Sequence, residues 1–366
     1  MEADFSEDEV KAAIFGVEAD KAPGPDGFGL RFFQEFWECV KSDVMDMLGE
    51  FSMTSQGIGD LNATFLVLIP KKEGVVAIED YRPISLVNGS YKILSKVLAN
   101  RLKEVIGYLV DECQTAFIPG RLLQDGFMTV QECITVVHKD KRKGIVLKLD
   151  FAKAYDNVRW DFLFHLLSCH GVEPNWIRMV KACVTTAKAS VLVNGSPWGF
   201  FHLHKGLRQG DPLSPLLFMI VVNALSRMVK MAESEGWVVG LRAMVGGSRT
   251  SLVQYADDAI LLCEVEERSI RGIKFVCWCF ELVSGLKINY HESSMSGINV
   301  ENNVLRRFAG ILGCKIQPFP LRHLGLPLHL GRMPKAEWTL LIARLERRLE
   351  GWQSRFLSLG GRITLL

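Results

Sequence analysis

Two adjacent aspartates, Asp257 and Asp258, interrupt the apolar segment Val253-Gln254-Tyr255-Ala256-Asp257-Asp258-Ala259-Ile260-Leu261-Leu262. Apolar residues on both sides predict a strand, a tight turn carrying the acids, and a second strand. Carboxylates held this way repel each other and lose water, so a fold keeps them at low cost when a cation sits between them. A third acid, Asp150, ends the run Ile145-Val146-Leu147-Lys148-Leu149, 107 positions before Asp257. Carboxylates from two separate strand ends suit Mg²⁺, and a Mg²⁺ pair is the machinery of nucleotidyl transfer. In that arrangement Asp150 and Asp257 bridge two ions about 3.5–4 Å apart, one activating a primer 3′-hydroxyl and the other neutralising the triphosphate.

Further residues surround this constellation. Tyr155 follows Asp150 by five positions, close enough to wall a sugar pocket and clash with a 2′-hydroxyl. The string Gly206-Leu207-Arg208-Gln209-Gly210-Asp211-Pro212-Leu213-Ser214-Pro215 is a punctuated loop ahead of a helix. Gly210 lets backbone approach a ligand, and Gln209 is within reach of a nucleotide. Ile69-Pro70-Lys71-Lys72 and Tyr81-Arg82-Pro83 place cations on two neighbouring extended segments, a clamp for β- and γ-phosphates as well as ordinary surface charge.

These residues need a mixed scaffold to position them. Helices are predicted over residues 6–20 (Ser6 as cap, Glu9 as its capping-box partner), 29–54, 88–107, 122–138, 158–169, 213–233, 266–283 and from 334 onward. Strands are predicted at 63–70, 81–85, 144–151, 190–193, 198–204 and 286–289, with Asn194-Gly195 as a hairpin turn. Strands mixed with helices without βαβ alternation indicate an antiparallel α+β sheet backed by helices.

The 366 residues leave room for two or three subdomains. Net charge is +2, unevenly spread: residues 1–60 carry 4 basic and 14 acidic side chains, residues 306–366 carry 11 and 3. A basic end on a near-neutral chain fits a polyanion partner as well as a solvated helix face. Nine scattered cysteines without framework spacing indicate reduced thiols in an intracellular protein; Cys277 and Cys279 are read as core, and His202 and His204, on one strand face, as structural. The acidic start carries no signal-peptide pattern, and the longest strongly apolar run, Leu216–Val222, is far below the ~20 residues of a membrane span.

Taken together, the strings resemble the reverse transcriptase domain of LINE-type (non-LTR) retrotransposons, plant elements in particular. The resemblance runs from Lys21 to the end. It includes Lys21-Ala22-Pro23-Gly24-Pro25-Asp26-Gly27, Tyr81-Arg82-Pro83-Ile84-Ser85-Leu86, and Gln114-Thr115-Ala116-Phe117-Ile118-Pro119-Gly120-Arg121. It continues through Leu149–Asp156, the Gln209-Gly210-Asp211 loop, Ala256-Asp257-Asp258, Ser284–Asn289, Leu324–Leu328 and Leu357–Arg362. It implies a right-hand polymerase: residues 1–60 as a helical extension of the fingers, 61–143 as fingers, 144–300 as an RRM-like antiparallel palm with finger insertions, and 301–366 as a partial helical thumb. It implies RNA-templated DNA synthesis with two Mg²⁺ ions, an RNA template, a DNA primer and deoxynucleotides, no membrane, and action in the nucleus. Asp150, Asp257 and Asp258 match the family's catalytic and metal-binding aspartates, and Tyr155 its steric gate. Lys71, Arg82, Gln209 and Gly210 match nucleotide contacts. Arg208, Lys287, Arg355 and Arg362 are expected on the template–primer.

Three positions depart from the family pattern. Glu292 stands where lysine is usual, Tyr255 where these elements usually have phenylalanine, and His323 where tyrosine usually precedes the leucine-glycine pair. The chain is expected to be a piece of a larger element, without its endonuclease and C-terminal domains. Two alternatives share parts of the pattern: a catalytically weak or dead fragment that binds nucleic acid, motivated by Glu292, and a group II intron maturase, which shares Tyr255–Asp258.

Overall fold

In the computed structural model, which describes residues 3–243 and 247–349, Asp257 and Asp258 stand where the strand Leu252–Tyr255 turns into Asp258–Cys263. That hairpin is one edge of a five-stranded sheet. Asp258–Cys263 pairs antiparallel with Gly144–Leu149, which pairs antiparallel with Ser294–Ile298; Lys315–Ile316 closes the sheet in the one parallel step. Side chains of Gly144–Leu149 alternate between two cores. Ile145, Leu147 and Leu149 enter the larger core with Phe218 and Phe280, and Val146 enters the smaller with Val130, Ile134 and Val137. A strand buried on both faces must read as nearly unbroken apolar sequence, which is how 144–149 reads.

The helix Ser214–Ser234 fills the larger core. By length and composition it is apolar enough to cross a membrane, with a mean hydropathy of 1.5 over its best window, but 72% of that window is buried inside the protein. It is a core helix, and its burial all round explains an apolar composition without a polar stripe. A second sheet, Tyr81–Val87, Ala63–Pro70, Lys188–Val193 and Ser196–Pro197 in that order, with Phe201–His202 also on Lys188–Val193, stands apart from the first.

Most predicted elements form within a few residues of expectation. The helix expected over 29–54 is broken at Phe36, whose backbone leaves helical geometry between Leu30–Glu35 and Trp37–Thr54. Its ring packs on Phe32 at 5.3 Å, in a run of contacting rings that includes Phe28 and Phe33. The helix expected over 158–169 starts at Trp160, after a separate turn at Ala154–Asn157. The helices Pro174–Thr185 and Asn302–Leu312 and the strand Ser294–Ile298 were not anticipated. Pro174 at the first helical position was the available signal for the first of these.

The acidic turn is held from behind. Ala256 adopts a left-handed backbone, φ +53°, which costs a non-glycine residue energy unless its surroundings enforce it. Gln114, fully buried, supplies that enforcement: its Oε1 accepts the N–H groups of Ala256 (2.9 Å) and Ala116 (3.0 Å), and its Nε2 donates to Ala256 O (3.4 Å). Backbone bonds Thr115 N to Gln254 O (3.0 Å) and Gln254 N to Cys113 O (2.8 Å) bind the same segment along the hairpin. Arg121 anchors the segment in turn, donating to the carbonyls of Gly107, Val110, Asp111 and Gln114.

Replacing Gln114 with alanine leaves two backbone groups of a strained turn without partners. Urea unfolding is expected to show a loss of about 1–3 kcal/mol; an unchanged midpoint would mean that the turn holds itself.

Candidate active site

The register Leu149↔Ala259, continued one step, sets Asp150 opposite Asp258, and Asp257 stands at the tip beside them. Asp150 is fixed through its backbone: its N–H donates to Ser293 Oγ (3.0 Å) and its carbonyl accepts from Asn289 N (2.8 Å). Its pKa is pushed up to about 6, first by burial, then by the charges of Glu292 and Asp257 and a side-chain hydrogen bond with Glu292; Lys148 opposes the shift. Asp257 is also raised, by burial first and by the charge of Asp258, against relief from its own backbone N–H, Arg82 and Lys148. Lys148 Nζ lies 3.5 Å from Asp258 Oδ1 and donates to Arg322 O.

Among the described residues, no three His, Cys, Asp or Glu side chains converge tightly enough to grip a metal ion as they stand. Asp258 lies beside Lys148, and Asp150 shares a side-chain hydrogen bond with Glu292. The donor set nevertheless has the right chemistry. Burial first, and neighbouring carboxylates after it, disfavour the charged forms of Asp150 and Asp257, and clustered hard oxygen donors of that kind match Mg²⁺.

Tyr155 lies on the turn after Asp150, its ring stacked on Phe218 (centroids 4.4 Å apart, 19° between planes). Burial, and then the charge of Asp257, push its hydroxyl pKa above the usual tyrosine range. The Gly206–Asp211 loop connects this wall to the second sheet. Leu207 N donates to Tyr155 O (2.7 Å), and Ser85 N donates to Gln209 O (2.7 Å). Both glycines have positive φ, and a Cβ would stand 2.7 Å from Asp156 O at Gly206 and 2.8 Å from Ser85 O at Gly210. Gln209 is half-buried and Gly210 exposed. Arg82 and Lys71 lie at the same end of the second sheet: Ile69 faces Arg82, and Lys71, just past the strand end at Pro70, donates from its N to Asp80 O (2.9 Å) and from Nζ to Glu79 O (2.8 Å). Both are exposed; Arg82 acts electrostatically on Asp257, and Lys71 on Asp156.

One expectation is corrected. Arg208 does not face a duplex: it is buried, 2.9 Å from Asp211, with its guanidinium over the Tyr91 ring at 4.4 Å. Asp211 also accepts from Tyr91 Oη (2.8 Å), Ser95 Oγ and Leu213 N (3.0 Å), so the pair is a buried node that seats the core helix. Lys287 is exposed on a two-residue strand paired with Ala152. Arg355 and Arg362, with the Leu357–Arg362 string, lie outside the described residues.

Three contributors were not recognised as such. Gln114 sits in a quoted string without an assigned role. Lys148 had a signal, since a period of two puts it on the face of Asp150. His323, buried on the hairpin Leu321–His323/Leu326–Leu328, is electrostatically coupled to Asp258 and Lys148; burial takes its pKa down to about 4, so it is neutral.

Comparison with known proteins agrees with this geometry. The family model described as reverse transcriptase (RNA-dependent DNA polymerase) matches residues 69–305. The chain is 28% identical over 300 residues to the transposon TX1 uncharacterized 149 kDa protein of Xenopus laevis, covering 80% of this chain and 22% of that protein. It is 27% identical to the Pol polyprotein of the R2DM element of Drosophila melanogaster (77% and 25%) and 30% identical to that of an R2 element of Nasonia vitripennis (72% and 24%). The chain thus spans about a quarter of the length of these relatives, and all three are animal proteins, so the plant leaning is not borne out. Among solved structures, telomerase from Candida Tropicalis in complex with a TWJ fragment of telomeric RNA shares the fold, with a TM-score of 0.52 at 13% identity over 87% of this chain and 53% of that one. A right-hand polymerase fold, α+β as expected, and a family match across the acids together make the chain a member of the reverse transcriptase family, related to the Pol proteins of non-LTR retrotransposons.

Proposed function

We propose that this chain performs RNA-directed DNA synthesis, extending a DNA primer with deoxynucleotides along an RNA template. The observation that carries the reading is the meeting of Asp150 with the Asp257–Asp258 turn, with Arg82 acting on Asp257 and Asp257 acting on Tyr155. Asp150 and Asp257 would hold Mg²⁺, with Asp258 beside them. Bound there, the ions supply activation of the primer hydroxyl and charge neutralisation on the triphosphate. Tyr155, immobilised against Phe218, excludes a 2′-hydroxyl. Arg82 and Lys71 orient the phosphates, and the backbone at Gln209 and Gly210 lines the nucleotide. Lys287 is a candidate contact to the template–primer. Domain limits of 61–143 for fingers and 144–300 for palm fit a second sheet that borrows Lys188–Val193 from within the palm span. As part of a longer element inserting into chromosomal DNA, the chain would act in the nucleus.

Primer extension on an RNA template is expected to fall about a thousandfold in Asp257→Ala, the several kcal/mol that metal-assisted charge stabilisation supplies; equal signals from both proteins would reject the reading. Glu292→Lys removes a repelling carboxylate from Asp150, and kcat/KM for deoxynucleotide is expected to rise several-fold; an unchanged value would show that Glu292 does not bear on the chemistry. The raised pKa of Asp150 also bears on stability. Folding lifts it from about 3.8 to about 6, so the ionised group costs stability once pH rises through that window, and most of this cost is gone by pH 4. With metal absent at pH 7, Asp150→Asn is therefore expected to stabilise the fold by on the order of 1 kcal/mol after allowance for solvent screening. Thermal melts at pH 7 and pH 4 check it: the gain should largely vanish at the lower pH.

A further inference from the structure

Residues 174–210 contain no aspartate or glutamate, but five lysines or arginines and two histidines, in a chain with 41 acids; of the five, Arg208 is buried against Asp211 and Lys188 pairs with Asp60 from outside the stretch. Within this stretch lies the most exposed aromatic group of the second sheet: Trp198 is 82% exposed, Phe200 53% and Phe201 47%. A two-residue turn, Asn194-Gly195, joins Lys188–Val193 to Ser196–Pro197, and Trp198 N then donates to Val191 O (3.1 Å). The aromatics are not on a loose loop. Phe200 stacks on Phe65 of the neighbouring strand (centroids 6.2 Å apart, 26° between planes), and Phe201 pairs in register with Ala189. His202, His204 and Lys205 follow, all exposed.

The location follows from the strand pairing. Ala63–Pro70 and Lys188–Val193 run parallel, with Leu66 beside Val191. Continued along the strands, that register sets the Asn194-Gly195 turn at the end of the sheet that carries Lys71 and Arg82. The Ser196–Pro197 strand lies three strands from Tyr81–Val87, about 14 Å across the sheet. Exposed rings held between two short strands, with the exposed His202, His204 and Lys205 following them, match what single-stranded nucleic acid requires: flat faces for unpaired bases and positive charge for the backbone.

We propose that the Asn194–Phe201 hairpin is a platform for the unpaired template strand ahead of the active site, with bases stacking on Trp198. This rests on the reading of the chain as a template-copying polymerase and adds to it the surface that receives the uncopied template. The test is fluorescence anisotropy with the whole chain, without nucleotide. One probe is a primer–template duplex with a 5′ RNA overhang, the other the same duplex blunt-ended. Trp198→Ala, at a site too exposed to disturb folding, is expected to weaken binding of the overhang probe about tenfold and leave the blunt probe unchanged; Trp198→Phe should restore most of the loss. Equal affinities of wild type and Trp198→Ala for the overhang probe, or equal losses on both probes, would overturn the platform. Sedimentation showing a wild-type dimer that Trp198→Ala dissolves would overturn it too, assigning the patch to self-association. Because the assay measures binding alone, wild type that prefers the overhang probe yet incorporates no nucleotide would sink the polymerase reading and leave the platform standing.

Discussion

Crowding of like charges at one strand end is the constraint on which the rest of the structure depends. Asp150, Asp257 and Asp258 are brought together by backbone register, and Glu292 joins them. Nothing in their mutual interaction favours this, so the frame must supply the holding force. It does so with groups that bind backbone: Gln114 on Ala256, Ser293 and Asn289 on Asp150. Backbone clamps fix where the carboxylates start without themselves occupying the carboxylate oxygens, as a site that must take up a cation requires. Lys148 adds the opposing charge nearest Asp258, from a strand whose neighbouring residues are locked in two cores.

The second sheet carries the cations for the substrate, and its distance from the acids is set by one loop. Gly206 touches the turn behind Tyr155, and Gly210 touches the strand of Arg82. At both positions a side chain would meet backbone, which cannot move aside as a flexible side chain can. Between them, Arg208 and Asp211 anchor the loop to Tyr91 and Ser95 in the interior. A guanidinium removed from water needs such a full set of partners. The charge of Arg208 therefore serves the spacing between the two halves of the site rather than any ligand.

The elements near the acids were legible in the sequence because each has a strong local cause. A strand buried on both faces reads as continuous apolar residues, and an acid pair inside such a run stands out. Ser6 announced a helix start, and its Oγ does accept the Glu9 N–H; the expected capping box is half formed, because the Glu9 carboxylate is taken by Arg101. What was illegible depends on contacts distant in sequence. The strand Ser294–Ile298 is Ser-Met-Ser-Gly-Ile, weak in intrinsic preference, and forms because Gly144–Leu149 offers it an edge. The burial of Arg208 depends on Tyr91 and Asp211, and local sequence reports the charge but not the enclosure. Gln114 lies 142 positions from the residue it clamps. The site residues were found through chemistry that shows in residue type; the residues that hold them act through geometry, which does not.

That division bears on Glu292. The frame residues are buried and tied to backbone, so a change at any of them alters packing and chemistry together. Glu292 is exposed, and its turn is set by its own N–H and that of Ser293 donating to Asn289, bonds that no side chain at 292 supplies. Ser293 Oγ, which positions Asp150, also donates to Asn289 O and is independent of the carboxylate. Residue 292 can therefore change sign without repacking the fold. Its effect on the site comes from the field it adds at Asp150, and that separates the tuning of the acids from the frame that assembles them.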